Sequence, residues 1–158
     1  QLDPVGAALP KRPTGVHILV AEDNEINRAV VKDQLALLGC EVTLVRNGAD
    51  CLAAWKQGDF DLILTDCQMP VMDGFELTRI IREIEEQQRL KHTPIVAVTA
   101  NALAGEAETC MSEGMDAYVS KPVTIAGLET VIRQQLPTMQ AHSQALGQAG
   151  NRAALPRG

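Results

Sequence analysis

Aromatic residues make up only 3% of this 158-residue chain, one Trp, one Tyr and two Phe. Positive charge is also scarce: the formal net charge is −6 and the sequence pI about 5.0. A nucleic-acid surface needs clustered Lys and Arg with stacking aromatics, so both shortages argue against one. No apolar run approaches the roughly 20 residues of a membrane span, so no direct membrane contact is expected. The four cysteines, Cys40, Cys51, Cys67 and Cys110, form no CxxC pair, and His17, His92 and His142 lie near none of them. That excludes the usual zinc spacings and leaves small buried thiols kept reduced. Residues 1–14 contain no apolar signal core and read as a linker. Residues 137–158 mix Gly, Pro, Gln and Ala and read as a linker or tag remnant.

What is present is a β/α alternation over residues 15–136. Hydrophobic residues are 46% and mean hydropathy is −0.03, as in a globular domain. Short β-branched runs at 17–21, 41–45, 61–65, 95–99 and 117–120 predict strands. Between and after them, segments of helical period cover 25–38, 49–57, 75–87, about 102–113 and 125–136. The first helix is expected to bury Ile26, Val30, Val31, Leu35 and Leu38, and the last Ile125, Leu128, Val131, Ile132 and Leu136. Leu52 and Trp55 are expected to face inward from the second. The charges Arg79, Arg82, Glu83, Glu85, Glu86 and Arg89 on the third read as a solvated face. Five strands each followed by a helix imply a parallel sheet with helices on both faces.

In such sheets the chemistry gathers at the carboxyl ends of the strands. Here those ends carry Glu22 and Asp23, Asp66, Thr99, and Lys121. Three neighbouring carboxylates repel one another and call for a cation; a hard, oxygen-lined site suits Mg²⁺. Asp23 and Asp66 are expected to coordinate directly and Glu22 through water, with the Gln68 backbone carbonyl as a further ligand. A carboxylate beside Mg²⁺ can form an aspartyl phosphate. Lys121 and the Thr99 hydroxyl would then neutralise two phosphoryl oxygens. Cys67, one residue past Asp66, should point to the other side of the strand, into the core.

The segments ILVAEDNEINR (18–28), DLILTDCQMPVMDGFELTR (61–79), PIVAVTANA (94–102) and MDAYVSKPV (115–123) together resemble the receiver domain of two-component response regulators. The closest sub-type is the receiver of bacterial hybrid sensor histidine kinases. The resemblance implies a flavodoxin-like fold with strand order 2-1-3-4-5, and Mg²⁺ as cofactor. It makes Asp66 the phosphoacceptor and Glu22 and Asp23 the acidic pair. Thr99 and Tyr118 become the switch residues, Lys121 the catalytic lysine and Pro122 a cis-proline. Gln68 and Asn101 become the positions that tune dephosphorylation. Phosphorylation would remodel the surface of the fourth helix, fifth strand and fifth helix.

The implied partners are a kinase phosphohistidine domain and a histidine phosphotransfer domain. The domain itself is expected to be a monomer or weak homodimer on the cytoplasmic side of an inner-membrane sensor kinase. In isolation it would catalyse only its own phosphorylation and dephosphorylation. A stand-alone response regulator is the alternative. A phosphatase of the haloacid dehalogenase class would want DxDx[TV] at the first strand, where EDN stands. A degenerate binding module would lack one of these residues, and a flavodoxin would carry a Gly/Ser/Thr-rich phosphate loop after the first strand.

Overall fold

A computed structural model describes residues 15–100, 102 and 105–136. The two flanking stretches read as linkers, and Asn101, lie outside the described residues. The order is β1 (His17–Ala21), α1 (Glu25–Leu37), β2 (Glu41–Val45), α2 (Gly48–Gln57), β3 (Leu62–Asp66), α3 (Gly74–Gln88), β4 (Ile95–Thr99), α4 (Glu106–Ser112), β5 (Ala117–Ser120) and α5 (Ile125–Gln135). The strands form one parallel sheet, β2-β1-β3-β4-β5. This is the expected 2-1-3-4-5 order.

Alternation along each strand divides the apolar residues between two cores. Ile18, Val20, Leu62, Leu64, Val96 and Val98 pack with Val31 and Leu35 of α1 and Leu128, Val131 and Ile132 of α5. Leu19, Ala21, Ile63, Ile95 and Ala97 pack on the opposite face with Cys51 and Trp55 of α2, Leu77 and Ile81 of α3, and Cys110 of α4. Burial on both faces is why these strands read as continuous apolar runs.

Polar side chains begin the helices where the sequence changes period. Asn24, Asn47, Asp73 and Thr124 each accept a hydrogen bond from the backbone N–H three residues on. Each satisfies one of the orphan donors of a first turn. Asp61 was expected to open β3. Instead its carboxylate accepts from the His17 backbone N–H at 2.8 Å, and β3 starts at Leu62.

Three expectations about helix faces need correction. Ile26 and Val30 are exposed, 74% and 47%, and so is Ile125. Ile26 and Val30 form a stripe roughly 100–180° round α1 from Val31 and Leu35, the pair that faces the sheet, and Ile125 stands at the first position of α5. The charges of α3 are not all solvated. Glu85 is buried, accepting from Arg82 Nη1 and the Thr93 N–H, both at 2.7 Å. Arg82 also reaches Asp116 at 2.7 Å and the Gly114 carbonyl at 2.9 Å. Helix α4 is shorter than expected, seven residues, and follows Gly105 at φ +92°.

Gly74 ties the fold to the site. A Cβ there would stand 2.5 Å from the Asp66 carbonyl oxygen, a backbone atom that cannot yield cheaply. Gly74→Ala is therefore expected to cost about 1–3 kcal/mol of stability, as overpacking does. Urea denaturation checks this, and an unchanged midpoint would show that the turn relaxes freely.

Candidate phosphorylation site

Three backbone connections assemble the carboxyl rim of the sheet. Asp66 is the last residue of β3 and pairs in register with Val98 of β4. The Lys121 N–H donates to the Thr99 carbonyl at 2.9 Å, which holds the lysine beside the end of β4. The loop after Asp66 is fixed by Cys67 N–H to the Val98 carbonyl (3.3 Å) and Gly74 N–H to the Cys67 carbonyl (2.9 Å). Within this loop Val71 has φ +72°, and the Met72 N–H bonds the Pro70 carbonyl at 2.7 Å. That is a γ-turn with a β-branched residue at its centre, a strained backbone at the edge of the site.

The expected residues meet here. Glu22, Asp23 and Asp66 each bring a carboxylate oxygen within 4.8 Å of the others. Lys121 Nζ donates to Asp66 Oδ2 at 2.9 Å, and the Gln68 N–H donates to Asp66 Oδ1 at 3.3 Å. Glu22 is buried, with Oε2 accepting from the Asn24 N–H at 3.0 Å, while Asp23 is exposed. These groups line a cleft of about 330 Å³.

Charge in the cleft is unbalanced. Burial, then the Asp66 and Asp23 carboxylates, raise the Glu22 carboxyl above its ordinary value, against the Asn24 hydrogen bond and Lys121. Burial lowers Lys121, but the hydrogen bond and charge of Asp66, with Glu22 and Asp23, outweigh it and leave the ammonium raised. One lysine faces three carboxylates, so the donor set fits an added hard cation.

Thr99 is buried at the end of β4, but its hydroxyl donates to Glu106 Oε1 of α4, not to Asp66. Glu106 Oε2 accepts from the Gln68 side-chain amide at 3.3 Å. No sequence motif announced Glu106; an acid in a first helical turn is ordinary. The Lys121–Pro122 peptide is cis, as expected. Tyr118 is 43% exposed on β5, away from the cleft, beside Met111, Thr124 and Gly127. Cys67 lies in the core on the α2–α3–α4 side, its Sγ 3.5 Å from that of Cys110. All four cysteines are buried, and burial pushes the Cys51 thiol up to about 12.

Comparison with known proteins agrees with this geometry. The sequence profile of the response regulator receiver domain matches residues 18–133. Sensor histidine kinase RcsC of Escherichia coli (strain K12) is 41% identical over 119 residues, covering 75% of this chain and 12% of RcsC. Hybrid signal transduction histidine kinase G of Dictyostelium discoideum is 43% identical over 122 residues, covering 76% of this chain and 4% of its own length. The chain thus spans a small part of these relatives, and they come from eukaryotes as well as bacteria. The receiver domain of sensor histidine kinase PA1611 from Pseudomonas aeruginosa PAO1, solved with magnesium in its active-site cleft, superposes with a TM-score of 0.69. It is 39% identical, over 78% of this chain and 98% of that one. The receiver domain of Ssk1 from Saccharomyces cerevisiae, co-crystallised with the phosphotransfer protein Ypd1, gives 0.72 at 30% identity, over 81% and 92%. The sheet order, the acidic cleft at its carboxyl rim and the profile match agree, and the chain belongs to the response regulator receiver domain family.

Proposed function

We propose that Asp66 accepts a phosphoryl group from a phosphohistidine and that this chain is the receiver of a hybrid sensor histidine kinase. The observation that carries the reading is the convergence at Asp66. Its carboxylate is held by Lys121 at 2.9 Å and stands beside Glu22 and Asp23 at the end of a buried strand. In the step, an Asp66 oxygen bonds to phosphorus as the phosphorus–nitrogen bond breaks, and the electron pair stays on the imidazole. Lys121 and the Thr99 hydroxyl are the donors available to the phosphoryl oxygens.

Mg²⁺ would be held by Asp23, Asp66 and the Gln68 carbonyl, with Glu22 through water. When bound it would neutralise the carboxylates and the incoming phosphoryl charge. Because Glu22 is raised, it loses its proton at a higher pH than an ordinary glutamate. Mg²⁺ affinity is therefore expected to fall on acidification through that raised value, sooner than an ordinary glutamate would allow. Calorimetric titration across pH checks this, with Glu22→Gln flattening the dependence and Asp23→Asn weakening binding about tenfold or more.

The partner is proposed to be a histidine phosphotransfer domain, and the parent kinase to hold this receiver on the cytoplasmic side. The exposed side chains Ile26 and Val30 stand at the rim of α1, and Val30 and Asn27 line a cavity that also reaches Lys121. They offer an apolar docking surface beside the acceptor. Ile26→Asp is expected to slow transfer from a phosphorylated histidine phosphotransfer domain by about tenfold. Labelling by acetyl phosphate should stay at the wild-type rate. Equal slowing of both would remove the docking role, and no labelling by either donor would refute the receiver reading.

A further inference from the structure

The cleft around Asp66 holds a fourth carboxylate. Glu106 opens α4, lines the same cleft as Glu22, Asp23 and Asp66, and binds two of the polar groups that flank the acceptor. Its Oε1 accepts a hydrogen bond from the Thr99 hydroxyl, and its Oε2 accepts one from the Gln68 side-chain amide at 3.3 Å. An acid in a first helical turn complements the helix dipole, which is the ordinary reason to find one there. Glu108, exposed in the same turn, already serves that role. Helix α4 is only seven residues long and no side chain caps its N-terminus. The two Glu106 hydrogen bonds therefore fasten this end of the helix to the cleft.

The Thr99 hydroxyl has one proton to donate. It cannot serve Glu106 and a phosphoryl oxygen on Asp66 together. We propose that Glu106 is a built-in competitor of the phosphoryl group: it occupies Thr99 and Gln68 in the unphosphorylated chain and is expelled when Asp66 is phosphorylated. Expulsion frees the first turn of α4, so the helix moves because its anchor is displaced. Like-charge repulsion between the Glu106 carboxylate and the phosphoryl oxygens acts in the same direction. The proposal rests on the reading of Asp66 as acceptor, and it makes Glu106 a positioning residue, acting through Thr99.

The test compares wild type, Glu106→Gln, Glu106→Ala and Glu108→Gln, each labelled by acetyl phosphate at saturating Mg²⁺. Glu106→Ala is expected to raise the initial labelling rate about three- to tenfold, the range of a typical net hydrogen bond. Glu106→Gln, neutral but still able to accept from Thr99, falls between, and Glu108→Gln matches wild type. In a Thr99→Val background the gain from Glu106→Ala should shrink to less than about twofold, since the two residues are coupled. Amide hydrogen exchange without phosphodonor gives an independent readout. Glu106→Ala and Thr99→Val should each speed exchange in α4 severalfold, and Glu108→Gln should not. Unchanged labelling and unchanged α4 exchange in Glu106→Ala would overturn the competitor, as would an undiminished gain in Thr99→Val. Failure of the wild type itself to be labelled would instead refute the acceptor reading, and the exchange result would still decide whether Glu106 anchors α4.

Discussion

Asp66→Asn is expected to lower phosphoryl acceptance by at least about a hundredfold, from a phosphohistidine donor and from acetyl phosphate alike. The amide has no anionic oxygen to attack phosphorus. It also removes one of the three clustered carboxylate charges that would hold a cation. The fold should survive, because Asn has the same shape and the register with Val98 and the backbone carbonyl contact from Thr65 Oγ1 do not involve the carboxylate. A melting temperature close to wild type would therefore accompany the loss. Radiolabel transfer checks the prediction. Label retained in Asp66→Asn at another single residue would mean that the acceptor had been misassigned among the carboxylates of the rim.

Arg82→Ala is expected to destabilise the domain by about 3 kcal/mol, and to lower the melting temperature by roughly 10 °C. Arg82 is a short-range cation for two carboxylates, Glu85 and Asp116, both at 2.7 Å. Those carboxylates also organise backbone: Glu85 accepts the Thr93 N–H and Asp116 accepts the Ile95 N–H at 2.8 Å. Thr93 in turn accepts the Trp55 indole N–H at 3.1 Å. The network thus joins the end of α3 to the start of β4 and to the turn before β5. Removing the guanidinium leaves the buried Glu85 without its cation, which costs more than the pair itself contributes. Arg79→Ala, which breaks an exposed pair with Glu113, should leave the melting temperature nearly unchanged. Equal effects from the two substitutions would show that Arg82 is only another surface charge.

β1, β3 and β4 were legible because they are buried on both faces, so their apolar runs needed no partner to be recognised; the edge strands β2 and β5, only partly buried, showed as short β-branched runs. The acidic pair, Asp66, Thr99 and Lys121 were legible because each sits where an apolar run ends. Helix faces were less so. Ile26 and Val30 form an i,i+4 stripe on the side of α1 away from Leu35, and a loose apolar count over a helix does not separate that stripe from the one that faces the sheet. Arg82 and Glu85 have the spacing of an exposed i,i+3 pair; what also engages Arg82 is Gly114 and Asp116, more than thirty residues on. Glu106 was missed for the same reason. Its partner Thr99 lies seven positions back, across a loop whose path the sequence does not declare. Strand order came from family resemblance, since alternation of strands and helices does not by itself rank neighbours in a sheet.

The most direct test of the account is site mapping on the wild-type chain after incubation with acetyl phosphate, with and without Mg²⁺, by intact and peptide mass spectrometry. A single, Mg²⁺-dependent phosphoryl group, hydroxylamine-labile as an acyl phosphate is, is expected on the peptide that contains Asp66. A label that is stable to hydroxylamine, independent of Mg²⁺, or located on any other residue would contradict it.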